Sequence, residues 1–285
     1  MAEITAADVK KLRELTDAPM MACKKALVDA GGDFEKAADL VRERTGAKMD
    51  ARAAERTASE GAVFGHVADG VGALLQLSCE TDFVAKGERF QDLGARLAEH
   101  VATTDPADAD ALLASDIDGQ SVQALLSEVQ AVTGEKLEVA AFTRRTGSVE
   151  TYLHTPTPGA PAKVGVLVAL DTDVDGEAVE KLKRDLTMHI AAMKPLVVRE
   201  DEVDGALLDK EREFARKEAE EQGKPAEIIE RIVDGKVKKV YTEWVLLNQP
   251  FVKDDKQSVA QVVDAAGTSA GGEITVSGFT RLQVG

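Results

Sequence analysis

The densest run of chemically capable side chains is Cys79, Glu80, Thr81 and Asp82, a thiol followed by a hydroxyl between two carboxylates. A thiol attacks as its thiolate. Neighbouring negative charge favours the protonated form, so this arrangement is wrong for a nucleophile. The four histidines are spread along the chain, and no nucleophile stands with an evident base. Cys23 and Cys79 are far apart and match no metal-ligand spacing. Neither GxxxxGK[ST] nor GxGxxG occurs, so no glycine loop of the phosphate-cradling kind is present. No catalytic residue, cofactor or metal site is expected. An enzyme working through Cys79 or His154 remains a competing reading, one that requires turnover of a small substrate.

The segment that follows, Thr81 to Lys86 (TDFVAK), stands between an apolar strand and a helix beginning near Gly87. Two readings are open. In one, Asp82 caps the turn and Phe83 tucks into the core. In the other, Phe83 is an exposed anchor beside a carboxylate, the composition of an interaction hot spot.

An internal repeat positions this segment. Gly72–Leu77 (GALLQL) matches Gly165–Leu170 (GVLVAL), and each run leads to a Thr-Asp pair, Thr81-Asp82 and Thr172-Asp173. Downstream, Leu93, Leu97, His100, Val101 and Ala102 match Leu182, Leu186, His189, Ile190 and Ala191. Two related subdomains follow, each a small antiparallel sheet with helices against it. The shared position of His100 and His189 favours packing over chemistry. The second copy reads Thr172-Asp173-Val174-Asp175 and has no aromatic, so the fold does not obviously require Phe83.

The fold class is α+β. Residues 1–46 read as three short helices, with Thr5 and Asp8 as a capping box and Val9, Leu12 and Leu15 or Thr16 on one face. Asp17 and Pro19 open the second helix, whose buried stripe is Met20, Cys23 and Leu27. Phe34, Ala37, Ala38 and Val41 mark the third, which Gly46 ends. Residues 47–60 read as a solvated linker. Core subdomain N spans 61–146, opening on a hairpin turned at Asp69-Gly70; its stretch 105–134 reads as helix broken by Pro106 and Gly119. Core subdomain C spans 147–285. It contains a charged, protruding helical hairpin at about 203–240, with Leu207, Leu208, Phe214 and Ala215 facing Ile228, Ile229, Ile232, Val233 and Val237.

The 285 residues are 44% hydrophobic but only 4% aromatic, which favours cores of Ala, Val and Leu. A formal net charge of −16 argues against a broad nucleic-acid surface, which needs clustered Lys and Arg. With two cysteines, an N-terminus lacking an apolar signal region and no membrane-length apolar run, a cytoplasmic protein is expected.

TDFVAK after an apolar strand, with Met20-Met21 and Cys23–Leu27 near the N-terminus, resembles elongation factor Ts. Met188–Ala192 (MHIAA) and Asn248–Val252 (NQPFV) fit the same pattern in order, so the resemblance covers nearly the whole chain. It implies a non-enzymatic exchange factor that binds elongation factor Tu, GDP-bound or nucleotide-free, and speeds release of GDP. It further implies a ubiquitin-associated-like (UBA-like) N-terminal domain docking on the GTPase through Arg13, Met20, Met21 and Lys24. Thr81, Asp82, Phe83 and Val84 would intrude near the partner's magnesium site, with Phe83 as a wedge and Asp82 supporting the rearrangement that disturbs Mg²⁺. Gly134, His154 and Val252 match further contact positions. Thr133 and Lys253 depart from the family pattern, standing where an aliphatic residue and a Met are usual. A homodimer through the hairpin is a second partner expectation. An adaptor or chaperone-like module without exchange activity is the alternative.

Overall fold

The computed structural model describes residues 4–16, 18, 20–41 and 56–285. The N-terminal helices are α1 (Ala6–Thr16), α2 (Met20–Asp29) and α3, described over 34–41. Thr5 and Asp8 exchange capping hydrogen bonds: Thr5 N donates to Asp8 Oδ2 at 2.9 Å and Asp8 N donates to Thr5 Oγ1 at 3.3 Å. The three helices close on Val9, Leu12, Cys23, Ala26, Leu27, Ala37 and Val41. Leu15 and Met20 are exposed, contrary to the expected stripes, while Thr16 is half-buried and bonds the Leu12 carbonyl. A helix of ten residues against two short neighbours buries only a narrow face, and the small side chains of Cys23 and Ala26 fill it. The roles expected of Asp17, Pro19, Gly46 and most of the linker fall outside the described residues.

From Glu60 onward the chain forms two three-stranded antiparallel sheets of the same design. Strands β1 (Glu60–Ala68), β2 (Val71–Cys79) and β5 (Glu138–Thr146) form the first, with β2 central. Strands β6 (Ser148–His154), β7 (Val164–Thr172) and β10 (Ile274–Gln283) form the second, with β7 central. Asp69 and Gly70 both take positive φ, 49° and 71°, as a two-residue hairpin turn requires. Helix α5 (Glu88–Thr104) covers the first sheet, and α8 (Glu177–Met193) covers the second.

Alternation along the central strands explains their unbroken apolar runs. Ala73, Leu75, Leu77 and Cys79 face the helices, whereas Leu74 faces the other sheet. In β7, Val166, Val168 and Leu170 face α8, while Leu167 and Ala169 face the first sheet. The sheets therefore stack on each other through Val63, Leu74, Val149, Leu167, Ala169 and Val284. The repeated glycines are points of close approach. A β-carbon on Gly72 would lie 2.6 Å from Leu167 Cδ1, and one on Gly165 would lie 2.4 Å from Val63 Cγ1.

The stretch 105–134 holds α6 (Ala109–Ala114), a two-strand ribbon of β3 (Asp116–Ile117) and β4 (Gln120–Ser121), and α7 (Val122–Thr133). Gly119 thus turns a hairpin instead of breaking a helix. Asp118 and Gly119 repeat the positive φ pair of Asp69-Gly70, and Asp118-Gly119 was the unread signal.

Helices α9 (Gly205–Glu221) and α10 (Ala226–Trp244) pack antiparallel through Ala215, Ala219, Ile229 and Val233. Ion pairs Arg216–Glu230 and Glu211–Lys236, each 2.9 Å, flank that seam. Leu207, Phe214, Ile228 and Ile232 lie exposed instead of in it, and Val237 is half-buried. A two-helix seam admits only a narrow stripe, and alanines let the helices approach closely.

Helix α8 also anchors the turn between β8 (Pro250–Phe251) and β9 (Asp254–Ser258). His189 is fully buried, stacks on Phe251, bonds Gln249 Oε1 at 2.8 Å and accepts the Val252 amide on Nδ1 at 3.1 Å. Lys253 joins Lys181 in pairing with the buried Asp185, each at 2.7 Å, which gives the lysine at 253 a structural reason. Helix α11 (Val259–Ala270), capped by Ser258, leads into β10.

Two outcomes follow from this packing. Gly72→Ala and Gly165→Ala should each destabilise the protein by about 1–3 kcal/mol, because Leu167 or Val63 must leave its packed position to admit a methyl group. Urea midpoints unchanged from wild type would show that the interface has slack. Burial pushes the His189 imidazole below its ordinary value, and the Gln249 bond offsets only part of that. A folded-state value below the unfolded one means stability is full above the unfolded pKa and is lost as pH falls towards the folded value. Stability should decline as pH drops below about 6.5, less steeply in His189→Gln than in wild type. His100, also pushed down by burial, adds to the decline in both proteins. Equal slopes in urea titrations across that range would remove His189 as a cause.

Candidate partner-binding site

The segment after β2 is not a loop but a one-turn helix, α4 (Asp82–Lys86). Thr81 caps it, accepting the Val84 amide on Oγ1 at 3.4 Å, so the capping role expected of Asp82 falls to its neighbour. Thr81 has the extended backbone of an N-cap, φ −128° and ψ 155°. Ala85 turns into the core and Val84 packs against it. Phe83 points the other way and is 82% exposed, the most exposed large hydrophobic side chain among the described residues. Of the two readings of this segment, the structure shows the exposed aromatic.

Asp82 stands beside it. The Lys86 ammonium, 2.6 Å away, holds the Asp82 carboxyl below its ordinary value, and the more distant Lys163 acts in the same direction. Cys79 is buried, and its thiol is pushed up to about 11, first by burial and then by the Glu135 carboxylate. The thiolate needed for attack is therefore suppressed near neutral pH.

Residues distant in sequence converge on this turn. Gly134 ends α7 in the left-handed conformation, φ 74°, where a side chain would be strained. The next residue, Glu135, accepts the amides of Glu80 and Thr81 on Oε2, at 3.1 and 2.9 Å, and the Thr81 hydroxyl on Oε1 at 2.6 Å. In return, Glu80 Oε1 accepts the Lys136 amide at 2.7 Å. Arg56 Nη1 donates to Glu80 Oε1 at 3.2 Å and to the Gly134 carbonyl at 3.1 Å. Thr133 satisfies its own hydroxyl on the Val129 carbonyl, so a polar residue is accommodated there without strain.

His154 reaches the same end of the sheets indirectly. Its carbonyl accepts the Lys163 amide at 3.0 Å, and Lys163 Nζ pairs with Glu60, whose register partner is Cys79. The imidazole is exposed and bonds Tyr152 at 3.1 Å through Nδ1. Val252 is exposed too, and its backbone amide is tied to His189, which lies buried against the second sheet. Arg13, Met20, Met21 and Lys24 are exposed on α1 and α2. The structure thus joins Thr81–Val84 with Gly134, sets His154 near them through Lys163, and leaves Val252 in a separate cluster.

Sequence reasoning missed Glu80, Glu135, Arg56 and Lys163. The only local cue was the helix stop at Gly134, which sets Glu135 just beyond a helix end; its partners more than fifty positions earlier leave no periodic signal. Among the described residues, no group of three or more His, Cys, Asp or Glu could hold a metal ion, and no helix is long and apolar enough to cross a membrane.

A family model described as elongation factor TS matches residues 80–285, from Glu80 through the second sheet. The elongation factor Ts of Thermobifida fusca is 44% identical over 288 residues, covering 100% of this chain and 99% of the relative. That of Acidothermus cellulolyticus is 44% identical over 286 residues, with 100% and 99% covered. That of Streptomyces ramocissimus is 43% identical over 289 residues, covering both chains fully. With likeness extending from end to end, the chain belongs to the elongation factor Ts family.

Proposed function

We propose that this protein is a guanine-nucleotide exchange factor for elongation factor Tu, catalysing no covalent reaction and acting in the cytoplasm. It binds the GDP-bound partner, disturbs the partner's Mg²⁺ site through Thr81–Val84, and promotes release of GDP and its replacement by GTP. The observation that carries this reading is Phe83, an aromatic ring held out in solvent on a capped helical turn. A phenyl ring left in solvent gains almost no burial on folding and so stabilises little in the free chain. It does what an anchor in an apolar slot of a partner requires. The second copy of the repeat, whose Thr172 leads to Val174 without a helical turn, supports the view that the fold does not need the feature.

The mechanism has a coherent energetic basis. Mg²⁺ neutralises the phosphates of GDP and tolerates little departure from octahedral geometry. Phe83 acts as the wedge, and the Asp82 carboxylate supports the rearrangement beside it. Contacts elsewhere offset the loss of nucleotide affinity. We assign these to Arg13, Met20, Met21 and Lys24 on a UBA-like domain of residues 1–46, and to Gly134, His154 and Val252 on the sheets. Linkage makes the effect reciprocal, so nucleotide weakens binding of the factor as much as the factor weakens binding of nucleotide. GTP entry then ejects the factor.

Release of a fluorescent GDP analogue from elongation factor Tu tests this. Wild type should accelerate release. Phe83→Ala should lower the stimulated rate by about thirtyfold, the rate equivalent of losing a hot spot of roughly 2 kcal/mol. Because the ring is exposed, the same change should move folding stability by no more than about 0.5 kcal/mol. Binding by wild type without faster release would instead make the protein an adaptor. Equal acceleration by both proteins would keep the exchange function and remove the wedge.

A further inference from the structure

We infer that Glu135 is a positioning residue for the exchange turn: its carboxylate, clasped reciprocally with Glu80, fixes the direction in which Phe83 and Asp82 are presented. The inference rests on the exchange reading above and extends it to residues that do not themselves meet the partner.

A helix of five residues cannot hold itself in water, because nucleation fixes several residues for a single backbone hydrogen bond. The order must be imposed from outside, and three hydrogen bonds accepted by one carboxylate impose it together with the burial of Ala85. Two fix the backbone at Glu80 and Thr81. The third sets the polarity of the cap. A Thr81 hydroxyl that donates to Glu135 turns a lone pair towards the Val84 amide, which the first helical turn needs satisfied. Hydrogen bonds to an ionised acceptor are stronger than neutral ones. The return bond from the Lys136 amide to Glu80 closes the clasp, and Arg56 ties it to the Gly134 carbonyl.

The duplicate shows what the clasp adds. At the equivalent place the Thr172 hydroxyl donates to the Glu273 carbonyl at 2.9 Å and accepts the Val174 amide at 3.2 Å, with no carboxylate engaged, and no helical turn follows. The strand-to-helix connection closes without this device in one copy. In the other, the device coincides with the turn that carries the exposed aromatic.

The test compares wild type with Glu135→Ala and Glu135→Gln. Amide hydrogen exchange in the free protein reads the clasp, and stimulated GDP release from elongation factor Tu reads its purpose. In Glu135→Ala the Glu80 and Thr81 amides should exchange about tenfold faster or more, with the centres of β2 and β7 unchanged. Its maximal stimulated release should fall about tenfold to a hundredfold, the usual result of a misplaced reacting group. The half-saturating concentration should change much less. Glu135→Gln, which keeps one acceptor oxygen, should fall between the two. Unaltered exchange at Glu80 and Thr81 would overturn the inference. So would a loosened turn that still releases GDP at the wild-type rate. If wild type binds elongation factor Tu without accelerating release, the exchange reading alone fails; amide exchange at Glu80 and Thr81 in Glu135→Ala still decides the clasp, and unaltered protection there counts against it.

Discussion

The two sheets approach so closely that neither Gly72 nor Gly165 has room for a β-carbon, and much of the body is arranged around that contact. Because β2 and β7 are covered by helices on one side and by each other on the opposite side, both faces of each central strand are apolar. The helices α5 and α8 are thereby fixed to outer layers, and the connections leading into them are confined to the ends of the sheets. The Thr81–Val84 turn lies on one such connection. Its scaffold is rigid because it is a strand end locked between two packed layers.

The shared design of the two halves makes a difference at the strand-to-helix connection informative. Spacing from Gly72 to Leu93 exceeds that from Gly165 to Leu182 by about one helical turn of chain. The additional residues form α4, cap it with Thr81, and expose a phenyl ring. The same halves also use their paired histidines differently. His100 sits half-buried against Ser115, whereas His189 is sealed in and holds the Val252 amide. A common framework thus carries two different surface devices, each fastened by a polar group beneath it.

Much of the framework was legible in the sequence. Strands announced themselves as apolar runs around Asp69-Gly70, and the repeat was visible through Leu93, Leu97 and His100 against Leu182, Leu186 and His189. Less legible was whatever depended on which side of an element met a partner. The runs GALLQL and GVLVAL read as strands of sheets with helices against them, and nothing in them indicated that each sheet also covers the other. Leu207, Phe214, Ile228 and Ile232 read as seam residues, yet only Ala215, Ile229 and Val233 of the stripes read there lie in the seam, joined by Ala219. At the site, TDFVAK stood out by composition, while the orientation of Phe83 could be argued either way. Glu80 and Glu135 were invisible as a pair, because the bonds joining them follow from strand β5 returning beside β2.

Arg56, the first described residue of the body, is fastened to both Glu80 and the Gly134 carbonyl. That fastening sets the reach of the N-terminal helices. By chain length alone, Val41, the last described residue of α3, can lie no farther than about 54 Å from Arg56. In the proposed complex, docking of either surface would therefore hold the other within that radius of its target. A second contact made in this way is intramolecular, governed by a local effective concentration and not by the abundance of the protein in solution. Each contact can then be weak on its own, which suits a factor that must leave as soon as the exchanged nucleotide displaces one of them.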